Sequence, residues 1–259
     1  MKFVGDPVSS LPNDTLLFLN SLECPFAQRT CIALLEKRIL FHKIEIDLRN
    51  TEGQYAPELK PSWFLQLNPN GKVPVLAYRE GGDLHRVYES NICNEFLEDY
   101  RAEPPLLPPH PAVRARARMI IQQFTEKFVP DFYKLLLRQD PEGRKEGADA
   151  LREQLRWLEG CFDSDGPFFM GEQFSLVDIS VLPFMLRLPV LSHYRAFALP
   201  EDCPKLARWW QHAKGRPSIR TASESGNSAL DYDEYLIWVY ERYADASAKS
   251  TSAADFKDR

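Results

Sequence analysis

Ser21-Leu22-Glu23-Cys24-Pro25-Phe26-Ala27-Gln28-Arg29-Thr30 stands between an apolar run, Thr15 to Leu19, and an amphipathic one, Gln28 to Lys37. It therefore reads as the turn from a strand into a helix. Pro25 suits the first helical position, where its missing N–H would have had no partner. That leaves Cys24 at the cap, its sulfur facing unpaired amides and the positive end of the helix dipole. Both features favour the thiolate and draw a cysteine pKa of about 8.5 toward neutrality or below. A thiolate in that place is a nucleophile. A Cys-x-x-Cys dithiol would need a second cysteine at position 27, where the chain has Ala27. An external thiol must then complete any disulfide exchange that Cys24 begins.

Cys31 has Leu34 and Leu35 three and four residues on, and Cys93, Cys161 and Cys203 also sit among apolar residues. These four read as packing residues. Five widely spread cysteines lack the spacing of a disulfide framework or a zinc site, which predicts reduced thiols and no metal, and with no signal-peptide core in Met1 to Ser10 a cytoplasmic location is expected.

Working outward, Phe41 to Asp47 carries alternating Ile44 and Ile46. Then come the turn residues Asn68-Pro69-Asn70-Gly71, the run Val73 to Tyr78, a Gly81-Gly82-Asp83 turn, Leu84 to Val87, and the helical Ser90 to Tyr100. The order βαβ then ββα predicts a thioredoxin-like α/β domain over residues 1–101. Between Ala102 and Pro111, four prolines bar a continuous helix and predict a stiff linker over residues 102–112. Beyond it, Ala112 to Leu137, Ala148 to Phe162, Val177 to Leu188 and Pro204 to Lys214 show three- and four-residue apolar spacing, so residues 113–243 are expected to form an all-α helical bundle. Ser175-Leu176-Val177-Asp178 has the spacing of a capping box, with Asp in place of Glu. The tail, 244–259, is rich in Ala, Ser, Lys and Asp and is expected to be disordered.

A length of 259 residues allows one large domain or two modest ones. With 44% apolar and 27% charged residues the chain matches an ordinary globular protein, which argues against a disordered or fibrous one. A net charge of −5 supplies no global field for a polyanion, so nucleic-acid binding is not expected. Charged residues interrupt the hydrophobic runs, so no membrane span is expected. Met1 to Ser10 has no apolar core of a signal peptide.

Cys24-Pro25-Phe26-Ala27-Gln28-Arg29-Thr30, Lys60-Pro61-Ser62-Trp63-Phe64, Asn68 through Leu76 and Tyr88-Glu89-Ser90 occur in an order and spacing that resembles cysteine-type glutathione transferases of the omega and lambda classes. The linker, Ser175 to Asp178, and Pro204-Lys205-Leu206 with Trp209 extend the resemblance over roughly residues 14 to 220. It implies the glutathione-transferase fold, with glutathione as co-substrate and Cys24 as its nucleophile. It further implies a cis Val73-Pro74 bond whose Val73 backbone meets the cysteinyl part of glutathione. Glu89 and Ser90 would hold the γ-glutamyl end, Lys60 the glycyl carboxylate, and Phe26 would line the thiol region. Arg187, with Phe128, Tyr232 and Tyr235, is implied as the wall of a second-substrate pocket. The aromatics Phe124, Phe128 and Phe132, spaced by four, equally suit a core.

The activity implied is thioltransfer, dehydroascorbate reduction and reductive deglutathionylation through a glutathione mixed disulfide. Conjugation is expected to be weak, because a Cys replaces the hydroxyl that would stabilise the glutathione thiolate. The partners implied are glutathione and a small electrophilic, oxidised or glutathionylated molecule. Omega-like members resemble homodimers and lambda-like members are often monomers, and the residues favour neither. Two other readings compete: a chloride-intracellular-channel-like protein and a non-catalytic interaction module. Glu36, Lys37, Arg38, His42, Lys43 and Glu45 interrupt the segment the first would insert into a bilayer. The joint presence of Cys24, Lys60, Val73-Pro74 and Glu89-Ser90 argues against the second.

Overall fold

Strand β1, Leu16–Asn20, is buried along its whole length and sits inside a four-stranded sheet. It pairs in parallel with β2, Phe41–Glu45, and antiparallel with β3, Val75–Glu80; β3 pairs antiparallel with β4, Asp83–Tyr88. A strand this apolar needs cover on both faces. Leu17 and Leu19, on one face, join Val75 and Ala77 in a cluster with Ala27 of helix α1, Pro25–Glu36, and Trp63, Phe64 and Leu67 of helix α2, Ser62–Leu67. Helix α3, Ser90–Tyr100, packs against α1. Helix α2 is absent from the sequence expectation because six residues are too few to show a period. The β3–β4 hairpin closes through Gly81 and Gly82 at φ +60° and +92°, a two-residue turn that side-chain-bearing residues rarely enter.

The chain, seen here in a computed structural model, is described over residues 6–9, 11–13, 15–46, 60–163, 166–224 and 231–245. It divides into two units, 1–105 and 106–259. Within the prolines between them, Glu103-Pro104 is cis. The tail expected to be disordered falls, beyond Asp245, outside the described residues.

The second unit is helical. Helices α4, Pro111–Gln123, and α5, Val129–Leu137, run on through a π-helical turn, Phe124–Phe128, in which the Val129 N–H reaches back to the Phe124 carbonyl. Pro130 accounts for that turn, because it has no N–H and its ring would clash with the carbonyl four residues back. Helix α6, Pro141–Glu159, begins earlier than expected, with Asp140 accepting from the Gly143 N–H at 2.6 Å. A Cβ at Gly147 would lie 2.9 Å from the Leu135 Cα, so this glycine is what lets α5 and α6 meet. Helices α7, Leu176–Met185, α8, Leu188–Arg195, α9, Pro204–Ala213, α10, Pro217–Ser223, and α11, Tyr232–Ala244, complete the unit. The expected capping box forms at Ser175 and Asp178.

One sequence expectation needs correction. Leu176–Arg195 is long and apolar enough to cross a bilayer, with a mean hydropathy of 1.4. It breaks at Arg187, and 83% of its apolar window is buried inside the protein, as befits a core element.

Candidate active site

Helix α1 positions Cys24, the candidate nucleophile. Cys24 is its N-cap, with an extended backbone at φ −88° and ψ 114° and Pro25 next in the helix. Its N–H donates to the Ser21 carbonyl at 2.9 Å and its carbonyl accepts from Gln28 at 3.0 Å, so the backbone is fixed on both sides. The side chain is half-buried against the sheet cluster, with its sulfur 3.9 Å from the Val73 carbonyl oxygen. Val73-Pro74 is cis. Lys60 is buried, its ammonium bonded to the Gly71 carbonyl and 5.4 Å from the Phe64 ring centre, which ties it to the loop that presents Val73.

The start of α3 forms the other end of the site. Glu89 has φ +70°, a left-handed conformation that costs a residue with a side chain about 1–3 kcal/mol. Pairing of Tyr88 with Val75 on one side and a 2.8 Å bond from the Cys93 N–H to the Glu89 carbonyl on the other hold it there. The bend leaves the Glu89 side chain exposed and turns Ser90 inward. Beneath lies Arg29, fully buried, donating from one terminal nitrogen to Ser90 Oγ and Asn91 Oδ1, both at 3.4 Å. Its guanidinium is 5.2 Å from the Phe26 ring centre. A helix N-terminus over a buried guanidinium is a place for a carboxylate.

The structure thus groups Cys24 with Val73-Pro74, Lys60 with the adjoining loop, and Ser90 with Arg29 and Phe26. Arg29 and Asn91 were missed from sequence. Phe26, Ile32 and Ala33 lie three or four residues from Arg29, so helical spacing already put a charge on a buried face, the one signal available.

The residues expected to wall a second pocket fare differently. Phe128 is fully buried, stacked on Phe124 at 4.5 Å and edge-on to Phe184. Arg187 is also fully buried; its Nε donates to Tyr240 Oη at 2.7 Å and its Nη1 to the Pro183 carbonyl at 2.5 Å. Both are interior residues of the second unit, which corrects the expectation that they face an open site. Tyr232 and Tyr235 stack at 6.4 Å on α11 and continue to the exposed Trp238.

None of the five cysteines is in a disulfide. Burial pushes the Cys31 and Cys93 thiols up to about 12, and those of Cys161 and Cys203 to about 11. Cys24 alone of the five is not buried.

Residues 23–100 match the family model described as glutathione S-transferase, N-terminal domain, and residues 141–212 match its C-terminal counterpart. Glutathione S-transferase omega-1 of Mus musculus is 33% identical over 234 residues, 89% of this chain and 88% of the relative. The probable glutathione S-transferase DHAR1, cytosolic, of Oryza sativa subsp. japonica is 32% identical over 76% of this chain and 82% of its own. Among solved structures, glutathione transferase Omega 3C from Trametes versicolor superposes with a TM-score of 0.74 at 31% identity, covering 94% of this chain and 96% of that one.

Proposed function

This chain belongs to the glutathione S-transferase family, and from that premise we propose that it is a glutathione-dependent thiol transferase and dehydroascorbate reductase working through Cys24. The observation that carries the reading is the half-buried Cys24 at the α1 cap, beside the Val73 backbone, with Ala27 where a resolving thiol would stand. The Cys24 thiolate attacks the glutathione sulfur of a glutathionylated substrate; the old S–S bond breaks and the substrate leaves as its thiolate. A second glutathione thiolate then attacks the mixed disulfide, giving glutathione disulfide and restoring Cys24. In dehydroascorbate reduction, two glutathiones supply two electrons and two protons, and leave as the disulfide.

Ser90 and the α3 N-terminus, backed by Arg29, receive the γ-glutamyl carboxylate, and the exposed Glu89 pairs with its ammonium. The Val73 N–H and carbonyl pair with the cysteinyl unit, Lys60 takes the glycyl carboxylate, and Phe26 lines the thiol region. Tyr232 and Tyr235 are assigned to the second substrate, and a cytosolic site of action follows the relative whose name states one.

The test is intact mass after incubation with oxidised glutathione, followed by iodoacetamide at pH 7. One glutathione is expected, on Cys24. In its absence Cys24 alone is alkylated, since burial holds the other four thiols far above neutral pH. An adduct on any other cysteine, or none, overturns the proposal. Arg29→Lys keeps the charge but replaces the planar guanidinium, whose one terminal nitrogen reaches both Ser90 and Asn91, with a shorter ammonium. Steady-state kinetics should show the KM for glutathione rising about tenfold, roughly 1.4 kcal/mol, with kcat nearly unchanged.

A further inference from the structure

Asn94 is 2% exposed, and neither its amide oxygen nor its amide nitrogen has a hydrogen-bond partner among the described residues. The other two asparagines buried there are bonded. Asn20 donates to Glu45 at 2.8 Å, and Asn68 donates to the Lys72 carbonyl at 2.8 Å and accepts from the Asn70 N–H at 3.0 Å. Taking an amide out of water without a partner destabilises the fold, so a leucine, similar in size and without polar atoms, would serve the ligand-free protein better. The residue therefore calls for a role outside folding.

Its place in α3 supplies one. Ser90 and Asn91 lie four and three residues before Asn94, so the three share a face. That face turns to α1, where one Arg29 nitrogen donates to Ser90 and Asn91; further along both helices, Lys37 pairs with Glu98. Asn94 stands between these two points of contact. Over the same stretch α1 offers fully buried Ala33 and Leu34, which carry no polar side chain, and Thr30, which stands beside the Cys93 thiol. The donor-rich group on this side of α1 is Arg29, whose planar guanidinium carries five N–H groups. Its bonds to Ser90 and Asn91, at 3.4 Å, are long for N–H···O contacts, so this contact has room to tighten.

Resting on the reading of Ser90 as the γ-glutamyl site, we infer that Asn94 is a positioning residue for glutathione. When the γ-glutamyl carboxylate settles on Ser90 and the α3 N-terminus, the Asn94 amide oxygen accepts from the Arg29 guanidinium and fixes its plane beneath Ser90. A hydrogen bond made in the complex and absent from the free protein favours the complex, which is how an amide that weakens the fold strengthens binding.

The test is Asn94→Leu, measured by steady-state thioltransfer and by urea unfolding. The KM for glutathione should rise about tenfold, kcat stay within about twofold, and the unfolding midpoint rise with its slope unchanged. In the Arg29→Lys background the same substitution should add less than about twofold to KM, because the group it acts through is gone. An unchanged KM overturns the inference. So does a raised KM with a lowered midpoint, which makes Asn94 a structural part of the α1–α3 contact, and so does a KM increment of the same size in the Arg29→Lys background. Intact mass after incubation with oxidised glutathione separates this inference from the reading beneath it. No glutathione on Cys24 overturns both, whereas glutathione on Cys24 with a KM indifferent to Asn94→Leu refutes the inference alone.

Discussion

Replacing Cys24 with Ser should lower glutathione-dependent reduction of a mixed-disulfide substrate on the order of 10³-fold or more, to the uncatalysed background. The size of the effect follows from chemistry. A hydroxyl forms no disulfide and is scarcely ionised at pH 7, so the mixed-disulfide step has no nucleophile. Misfolding is not the expected cause of the loss. Cys24 makes no side-chain cap bond to α1, whereas Ser is among the preferred N-cap residues, so the helix should be unharmed or steadier by up to about 1 kcal/mol. Glutathione should still bind, since Ser90, Lys60 and the Val73 backbone are untouched. The introduced hydroxyl can also donate to the glutathione thiolate, so conjugation to an aromatic halide should hold or rise while thioltransfer vanishes. Both rates measured on one preparation decide the matter: thioltransfer within tenfold of wild type would sink the assignment of Cys24. Nor can another thiol take over unnoticed, because the remaining four are buried.

The parts of this protein that were legible in the sequence are those specified locally. Cys24-Pro25 marks a helix start, Gly81-Gly82 a two-residue hairpin and Ser175 to Asp178 a cap because each pattern satisfies backbone groups within a few residues. Helices α2, α8 and α10 escaped notice because six to eight residues hold too little of a period. Periodicity also says that a side chain is buried without saying beside what. It suited Phe128 to a core while the resemblance put Phe128 and Arg187 at a pocket wall, and their neighbours, Phe184 and Tyr240, lie far along the chain and decide that both are interior. The Arg29 contact with Ser90 and Asn91 is of the same kind, a meeting of two helices sixty residues apart that no local pattern announces.

Asp178→Ala should be the most destabilising single change outside the active site. The fully buried carboxylate accepts from the Ser175 N–H at 2.8 Å, the Ser175 hydroxyl at 2.7 Å, the Phe169 N–H at 3.2 Å and the Trp209 indole at 2.7 Å. One side chain thus ties the start of α7 to the segment before it and to α9. Truncation strands these donors out of reach of water; each lost bond costs about 1–3 kcal/mol, so a total of about 3–5 kcal/mol is expected after partial relaxation. Urea unfolding should show the midpoint falling with the slope unchanged. The pH dependence has a definite sign. Burial outweighs the four donors and raises the carboxyl above its ordinary 3.8, so the folded chain binds this proton more tightly than the unfolded one. The contribution of Asp178 is then fully present below pH 3.8 and declines as pH rises from there toward the folded value. The stability gap between wild type and variant should therefore narrow over the range above pH 3.8. A gap that widens over that range would mean that the four donors hold the carboxylate charged despite its burial.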